Sequence, residues 1–492
     1  MNREISKRLS DLLAGVEAIK VRGAEGCIVK GLAYNSMTVK PGYLFAAISG
    51  AKADGHTYIG DAVKRGAAAV IAEREEAVPA EVAAVIVPNS RRALAAVSAA
   101  FFDDPSSRIK VAGVTGTKGK TTVAYLIYEI LSKAGYRPGL IGTIEYRVGQ
   151  RVIASTNTTP ECLDIQRMLC ELESEGGSAM SMEVSSHALD QGRVDHVHFQ
   201  TAVLTNLTRD HTDYHKTVEA YKMAKASLFD RLSGPQRAIL NVDDEFGAEL
   251  ARRERCCAFT YALESDADMT AEKLECSLEG TRFVWRWKDL ALAVRLPLAG
   301  VHNVYNFLGA AGACVSIGVE PEDVVAAAEA FSGVPGRLER VDEGQDFVVL
   351  VDYAHTDDAL EKVLGSLRPL TPSRLIVVFG CGGERDRTKR PAMAEVAERL
   401  ADRVIVTSDN PRGEDPMAII EEIKRGFKKD AYTVEADRRR AIELAIGEAR
   451  RGDVVLLAGK GHENYQKLAE GMIHFDDREE ARKAIQGLLG RK

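Results

Sequence analysis

Several features are missing from this sequence, and each absence excludes a class of protein. None of the eight cysteines (27, 162, 170, 256, 257, 276, 314 and 381) is spaced C-x-x-C, which argues against a zinc site or a disulfide framework. No apolar run reaches the roughly 18 residues needed to cross a bilayer. The longest weakly polar stretch, 307 to 319, is broken by glycines. The opening MNREISKRLSDLLAG is charged and amphipathic and lacks the apolar core of a secretory signal. Positive charge is not in excess: 65 Lys and Arg against 72 Asp and Glu give a net charge of −7, which argues against a general nucleic-acid binder. Repeats and low-complexity tracts are also missing. What remains is an ordinary globular chain with a cytoplasmic location and no membrane insertion.

At 492 residues the chain is too long for one hydrophobic core, and about 150 residues per domain implies about three. From residue 109 onward short apolar runs alternate with longer helical patterns, the rhythm of βαβ units around a buried parallel sheet. The fold class is therefore α/β. Strands are expected at 109–114, 178–182, 201–205, 237–241, 347–351, 374–379, 403–407 and 453–458. Polar loops follow each of them, and open α/β sheets bind ligands beyond the carboxyl ends of their strands, which suggests two sites facing a shared cleft. The first hundred residues read as a smaller α/β domain. Linkers are expected near Asp103 to Pro105 and in GVPGR at 333–337, giving domains at 1–103, 104–335 and 336–492.

The strongest local signal is IKVAGVTGTKGKTTVAYL at 109–126: a strand pattern, a Gly/Thr/Lys loop and a helix pattern. Gly116 and Gly119 let backbone N–H groups curl around an anion, with Thr117 and Lys118 between them. Lys120 reaches toward terminal phosphates, Thr121 offers a hydroxyl to Mg²⁺, and Thr122 continues into the helix. The common G-x-x-x-x-G-K-[ST] spacing needs glycine at 114, where Val114 stands, so this is a shorter variant. Glu183, after a small apolar run, is placed as a Mg²⁺ ligand, although a strand-end Glu is usually solvated. His211 lies in a dense group with Asp210, Asp213 and His215. Lys225 falls mid-helix, where lysine ordinarily faces solvent. Arg385 and Arg412, in loops after strands, suit bidentate capture of carboxylates or phosphates. His302, Asn303 and Asn306 precede a small-residue helix and either cap it or read a nucleotide base.

Taken in order, the motifs resemble those of the Mur ligase family of peptidoglycan synthesis over essentially the whole chain. The carriers are GTKGKTT at 116–122, NTTPE at 157–161, MEVSSHALDQGRV at 182–194, NLTRDHTDYH at 206–215, YKMAKASLF at 221–229 and HNVYN at 302–306. They continue with PGRLERV at 335–341, DYAHTDDAL at 352–360, GCGGERDRTKRP at 380–391, DNPRGEDP at 409–416 and AGKGHENYQ at 458–466. The resemblance implies three domains: an N-terminal one for a UDP-sugar, a central P-loop ATPase and a C-terminal Rossmann-like one for the incoming amino acid. It implies an ATP-dependent amide ligase that adds meso-diaminopimelate to UDP-MurNAc-L-Ala-D-Glu through an acyl phosphate, acting as a monomer with Mg²⁺. By the same resemblance Lys120, Glu183, His211 and Lys225 are catalytic, with metal bound by Thr121, Glu183, His211 and Lys225 carried as N6-carboxylysine. ATP is held by 116–122 with His302, Asn303, Asn306, Arg337 and Asp352. Ser36, Asn157, Thr158, Thr159, Ser185, Gln191 and Arg193 hold the UDP-MurNAc-dipeptide. Arg385, Asp409, Asn410, Pro411, Arg412, Gly459 and Glu463 hold the diamino acid, and Arg412 within DNPR distinguishes diaminopimelate from lysine through its extra carboxylate.

The chain departs from the family pattern at one place. Asn35, Ser36 and Met37 stand where the family usually has Asp-Ser-Arg. Among competing readings, a lysine-adding relative or a folylpolyglutamate synthase is opposed by DNPR and by the N-terminal PGYLFAAISG segment. A GTPase switch is opposed by the lack of an Asn-Lys-x-Asp motif.

Overall fold

Strand Lys110–Thr115 has five consecutive buried residues, VAGVT, and strand Ala179–Glu183 is buried throughout. Runs of this kind are typical of parallel sheets covered by helices on both faces. The computed structural model describes residues 5–50, 53–208, 212–253 and 257–490. The chain divides into two compact units: Met1–Glu272 with Val284–Ala293 and Tyr305–Ala328, and Lys273–Phe283 with Val294–Val304 and Glu329–Lys492.

In the first unit, Lys110–Thr115 sits mid-sheet, with Ala179–Glu183 parallel to it on one side and Phe199–Leu204 parallel on the other. Pro138–Ile141 lies beyond Ala179–Glu183, and Arg237–Asn241 and Ala258–Ala262 lie beyond Phe199–Leu204. The three central strands therefore deliver the loops at 116–119, 184–185 and 205–208 to one edge of the sheet. An antiparallel hairpin, Glu145–Val148 with Arg151–Ala154, extends the Pro138–Ile141 side. This hairpin is hard to see in the sequence because YRVGQRVI mixes charge with apolar residues and offers no continuous run. Strands Met269–Ser277, Gly280–Trp287 and Leu290–Leu296 went unanticipated for the same reason: they alternate polar and apolar residues.

Residues 20–86 form a smaller sheet ordered Lys20–Arg22, Ala83–Ile86, Ala69–Ala72, Tyr43–Ala46 and Gly31–Ala33, parallel except for its first strand. Its core includes Cys162 and Leu163 from the central helix Cys162–Ser174. The Tyr34 hydroxyl donates to Asp164 on that helix at 2.6 Å, and Arg91 pairs with Glu161 just before it.

In the second unit a six-stranded sheet runs Glu339–Val341, Val348–Asp352, Val454–Ala458, Leu375–Phe379, Arg403–Val406 and Tyr432–Val434, with only the first strand antiparallel. Separate apolar clusters cover its two faces. All eight strands expected from the sequence are present, displaced by at most two residues. One expectation is corrected: His302, Asn303 and Asn306 do not precede a helix but lie within helix Val301–Ile317, whose glycine-broken apolar run disguised its start.

A buried ion pair ties this unit together. Arg438 donates to both carboxylate oxygens of Asp477 (2.7 and 2.6 Å), and both side chains are fully buried. The same guanidinium donates to the carbonyls of Ala458 and Ser408, at the ends of two strands. Removing one partner leaves an uncompensated buried charge, so Arg438→Met is expected to lower the stability of this unit by about 3–5 kcal/mol, read by urea denaturation. A second change, Asp477→Leu, should recover much of that loss.

Candidate active site

The loop after Lys110–Thr115 is shaped by two glycines. Gly116 holds φ 145°, and a Cβ there would stand 1.9 Å from Thr205 Oγ1. Gly119 holds φ 84°, and a Cβ there would stand 2.5 Å from Asn306 Oδ1. Neither position admits a side chain. The segment at 205–206 clamps the loop from the neighbouring strand end. Thr117 N–H donates to the Asn206 carbonyl (2.8 Å), Lys118 N–H to Asn206 Oδ1 (3.0 Å), and the Thr205 hydroxyl to the Lys118 carbonyl (2.6 Å). Lys120 folds back over the loop, donating to the carbonyls of Gly116 and Thr117, both at 2.9 Å. The loop thus opens helix Lys120–Lys133 with backbone donors and an ammonium group at one point, the arrangement that binds phosphate.

Glu183 is the last residue of its strand and is fully buried. Its carboxylate accepts from the Thr121 hydroxyl (3.1 Å), the Thr143 N–H (2.8 Å) and the Thr143 hydroxyl (3.1 Å). Its carbonyl accepts from the Thr159 hydroxyl at 2.8 Å. Lys225, on helix Val218–Phe229, is 1% exposed, so the solvated face usual for a mid-helix lysine does not apply. Its ammonium donates to the Gly116 carbonyl (2.7 Å) and lies 4.6 Å from the centre of the Tyr221 ring. The Tyr221 hydroxyl is 3.1 Å from Thr117 Oγ1, which fastens the same helix to the loop. His211 lies outside the described residues.

The expected dipeptide-site residues gather next to Glu183. The Thr158 hydroxyl is 3.1 Å from that of Thr143, and Thr159 donates to Glu183. Ser185 caps helix Ser186–Asp190 by accepting from Ala188 N–H. Arg193 donates to the Thr159 carbonyl and, through two nitrogens, to Gln191 Oε1, and it pairs with Glu161 at 3.3 Å. Glu161 therefore lies between Arg193 and Arg91. Asn157 is exposed, with its carbonyl accepting from the Tyr146 hydroxyl. Ser36 lies in the turn Ser36–Thr38, between strands Gly31–Ala33 and Tyr43–Ala46 of the smaller sheet, where Asn35 Oδ1 accepts from Met37 N–H at 3.0 Å. Asparagine caps such a turn as well as aspartate does, so that part of the departure costs little. Met37 is 72% exposed.

The second unit carries its own polar group at its strand ends. Arg412 donates to the carbonyls of Gly383 (2.8 Å) and Asn410 (3.3 Å), while its backbone N–H donates to Lys467. The Asn410 amide donates to Glu463 Oε2 at 2.8 Å. Asp409, Asn410 and Pro411 are buried, and Gly459 N–H donates to the Asp352 carbonyl. Asp352 accepts from the N–H groups of Leu338 and Ala354, and burial pushes its carboxyl above the usual carboxylate range against the pull of Arg337. Arg337 lies over the Tyr353 ring, 5.2 Å from its centre. Arg385 is exposed on its loop, and so is His302 on its helix. Three contributors were missed in the sequence. Arg390 is fully buried and clamps Glu414, Glu422 and the Gly382 carbonyl. Lys460 and Tyr465 both reach Glu463. All three lie in motifs quoted above, and only their charge or hydroxyl could have drawn attention to them.

Three family models match the chain: "Mur ligase family, catalytic domain" at 28–108, "Mur ligase middle domain" at 114–314 and "Mur ligase, glutamate ligase domain" at 336–461. A UDP-N-acetylmuramoyl-L-alanyl-D-glutamate–2,6-diaminopimelate ligase from Solibacter usitatus is 47% identical, covering 93% of this chain and 94% of the relative. The chain belongs to the Mur ligase family. A second relative of that name, from Geobacillus thermodenitrificans, is 43% identical over 97% of this chain and 99% of its own. A solved structure described by the same name aligns with a TM-score of 0.72 and 33% identity, covering 99% of this chain and all of that one. This Mur ligase therefore has the three-module α/β architecture of its family.

Members of such a family are expected to use Mg²⁺, and the residues present fit it. Thr121 and Glu183 bring a hydroxyl and a carboxylate together at a helix N-terminus, the hard oxygen donors that Mg²⁺ takes. Among the described residues no group of three His, Cys, Asp or Glu side chains is gathered there. No helix among them is long and apolar enough to cross a membrane.

The loop geometry generates a direct test. An alanine at 116 would meet both an unfavourable φ and the Thr205 hydroxyl. Strain of about 1–3 kcal/mol in the folded protein is expected at such a position. Gly116→Ala should therefore lower the thermal transition of the protein in calorimetry by a few degrees or more, and an unchanged transition would show that the loop relaxes around the methyl group.

Proposed function

We propose that this Mur ligase joins meso-diaminopimelate to the D-glutamyl carboxylate of UDP-MurNAc-L-Ala-D-Glu in peptidoglycan precursor synthesis, with ATP as the activating co-substrate. A carboxylate is a poor electrophile, so the ATP γ-phosphoryl group is first transferred to it, giving an acyl phosphate and ADP. The amine of the diamino acid then attacks the activated carbonyl, phosphate leaves, and an amide remains. Two anions must approach for the first step. Lys120 and the backbone donors of 116–122 bind phosphate oxygens and offset that repulsion. Bound Mg²⁺, held by Thr121 and Glu183 with His211, would neutralise charge on the transferred group. Lys225 is carried as N6-carboxylysine, which turns a cation into an anionic oxygen donor. Thr158, Thr159, Ser185, Gln191 and Arg193 orient the dipeptide end, and Ser36 contacts the UDP-sugar end. The boundaries at 103/104 and 335/336 and a cytoplasmic, monomeric setting belong to the same reading.

The choice of amino acid rests on one observation: Arg412 and Glu463 reach a common partner, Asn410, so a guanidinium and a carboxylate lie in one group. Diaminopimelate differs from lysine by a distal carboxylate beside its ammonium. A planar guanidinium binds that carboxylate bidentately, and Glu463 accepts from the ammonium. Arg385, Asp409, Pro411 and Gly459 complete the pocket. Mass spectrometry of the product formed from UDP-MurNAc-L-Ala-D-Glu, ATP and a mixture of diamino acids tests this. Incorporation of lysine in preference to diaminopimelate would exclude it.

Truncating one partner of a buried charge pair costs about 2–5 kcal/mol, or roughly 30-fold or more. Arg412→Ala should therefore raise the KM for diaminopimelate by that factor and leave the KM for ATP nearly unchanged. Equal effects on both would remove Arg412 from the pocket. For Lys225, intact-protein mass should reveal the added CO₂. Lys225→Ala should lose most activity and regain part of it with bicarbonate or a short carboxylic acid, whereas a fully active variant would rule the carbamate out.

A further inference from the structure

Lys460 is a fully buried ammonium that the reaction described above does not use. Its Nζ donates to Glu463 Oε2 at 3.1 Å and to Asn410 Oδ1 at 3.4 Å, and it lies 5.5 Å from the centre of the Tyr465 ring. The Asn410 amide donates to the same Glu463 oxygen at 2.8 Å, and Lys467 N–H donates to Asn410 Oδ1 at 2.9 Å. One carboxylate oxygen of Glu463 is thus taken by two donors of the chain itself. The other meets only the Tyr465 hydroxyl in this group, at 3.3 Å.

We infer that Lys460 is a specificity-determining positioning residue, which pins Glu463 and rejects amino acids whose side chain ends in a lone ammonium. This rests on the assignment of diaminopimelate to the Arg412 and Glu463 pocket. The physical argument is one of charge. A carboxylate without a counterion, 14% exposed as Glu463 is, would attract any cation that fits, lysine included. With Lys460 in contact, its charge is already compensated. What remains is a fixed hydrogen-bond acceptor on Oε1. A ligand end carrying both carboxylate and ammonium satisfies Arg412 and that acceptor without adding net charge. A ligand end that is only an ammonium brings a second cation beside Lys460 and offers Arg412 no anion. Discrimination thus combines an attractive element, Arg412, with a repulsive one, Lys460.

The test compares kcat/KM for meso-diaminopimelate and for L-lysine in the full-length enzyme. Lys460→Met keeps the length of the side chain and removes its charge. It is expected to lower the diaminopimelate-to-lysine ratio by about tenfold or more, mainly through KM, with the KM for ATP unchanged. Lys460→Arg, which keeps the charge, should hold the ratio nearer that of the wild type. Glu463→Gln, which leaves the ammonium without its anion, should reject lysine more strongly still. This third variant decides the matter if Lys460→Met does not fold. An unchanged ratio in Lys460→Met, or improved lysine use in Glu463→Gln, would overturn the inference. A wild-type enzyme that does not select diaminopimelate over lysine would instead sink the substrate assignment on which it rests.

Discussion

The first unit depends on how one buried carboxylate is satisfied. Glu183 is fully buried, and a buried anion without donors would cost several kcal/mol. Its donors come from Thr121 at the start of the loop helix and from Thr143 beyond the next strand but one from the loop strand. Its own carbonyl takes the Thr159 hydroxyl of the NTTPE segment. One residue at one strand end therefore fixes the start of the loop helix on one side and the 157–161 segment on the other. This placement requires the parallel register Glu183↔Val114, which sets the carboxylate level with the start of the loop. A shift of one residue would turn it to the opposite face of the sheet.

Buried cations show the same economy. Lys225 and Lys460 each lie in a helix or loop where sequence statistics favour solvent, yet each is almost completely enclosed, and each bonds a group in a loop beyond a strand end. Arg390 and Arg438 are enclosed too, and they hold loops by their bases: the first ties 382 to 414 and 422, the second ties 408 and 458 to 477. A long cation can reach several carbonyls and carboxylates at once. Loops beyond the strand ends are thereby fixed from behind.

Much of this was legible in the sequence because the chemistry sits at strand ends, and strand ends are marked by the change from apolar runs to Gly, Asp, Asn and Thr. The Gly/Thr/Lys loop at 116–119, Glu183 and Arg412 are singled out in this way, and all of them lie at or just beyond strand ends. The antiparallel hairpin at 145–154 and the strands between 269 and 296 were not, since alternating strands on a half-exposed surface look like loops when parallel-sheet runs serve as the guide. The role of Asn206 was hidden by its neighbours: NLTRDHTDYH drew attention to its histidines and acids, whereas Asn206 and the preceding Thr205 hold the loop. Lys460 escaped notice because a lysine between two glycines reads as a solvated turn. Only the packing of Tyr465, Asn410 and Glu463 around it reveals burial.

The Asn35 and Met37 substitutions show how a departure from a family pattern divides into separate physical parts. The first residue of the triplet caps a short turn, and an amide oxygen accepts the Met37 N–H as a carboxylate would. The turn keeps its shape, and Ser36 keeps its buried position. Only the third position changes character, from a cation to an exposed thioether. The turn is also held from outside the triplet. Tyr34, immediately before it, donates to Asp164, and Arg91 pairs with Glu161, which itself pairs with Arg193. The N-terminal module is thus tied to the segment carrying Thr158 and Thr159 by bonds that do not involve residues 35–37. The geometry of the turn thus persists without the arginine; relative to the family pattern, what is lost there is one positive charge.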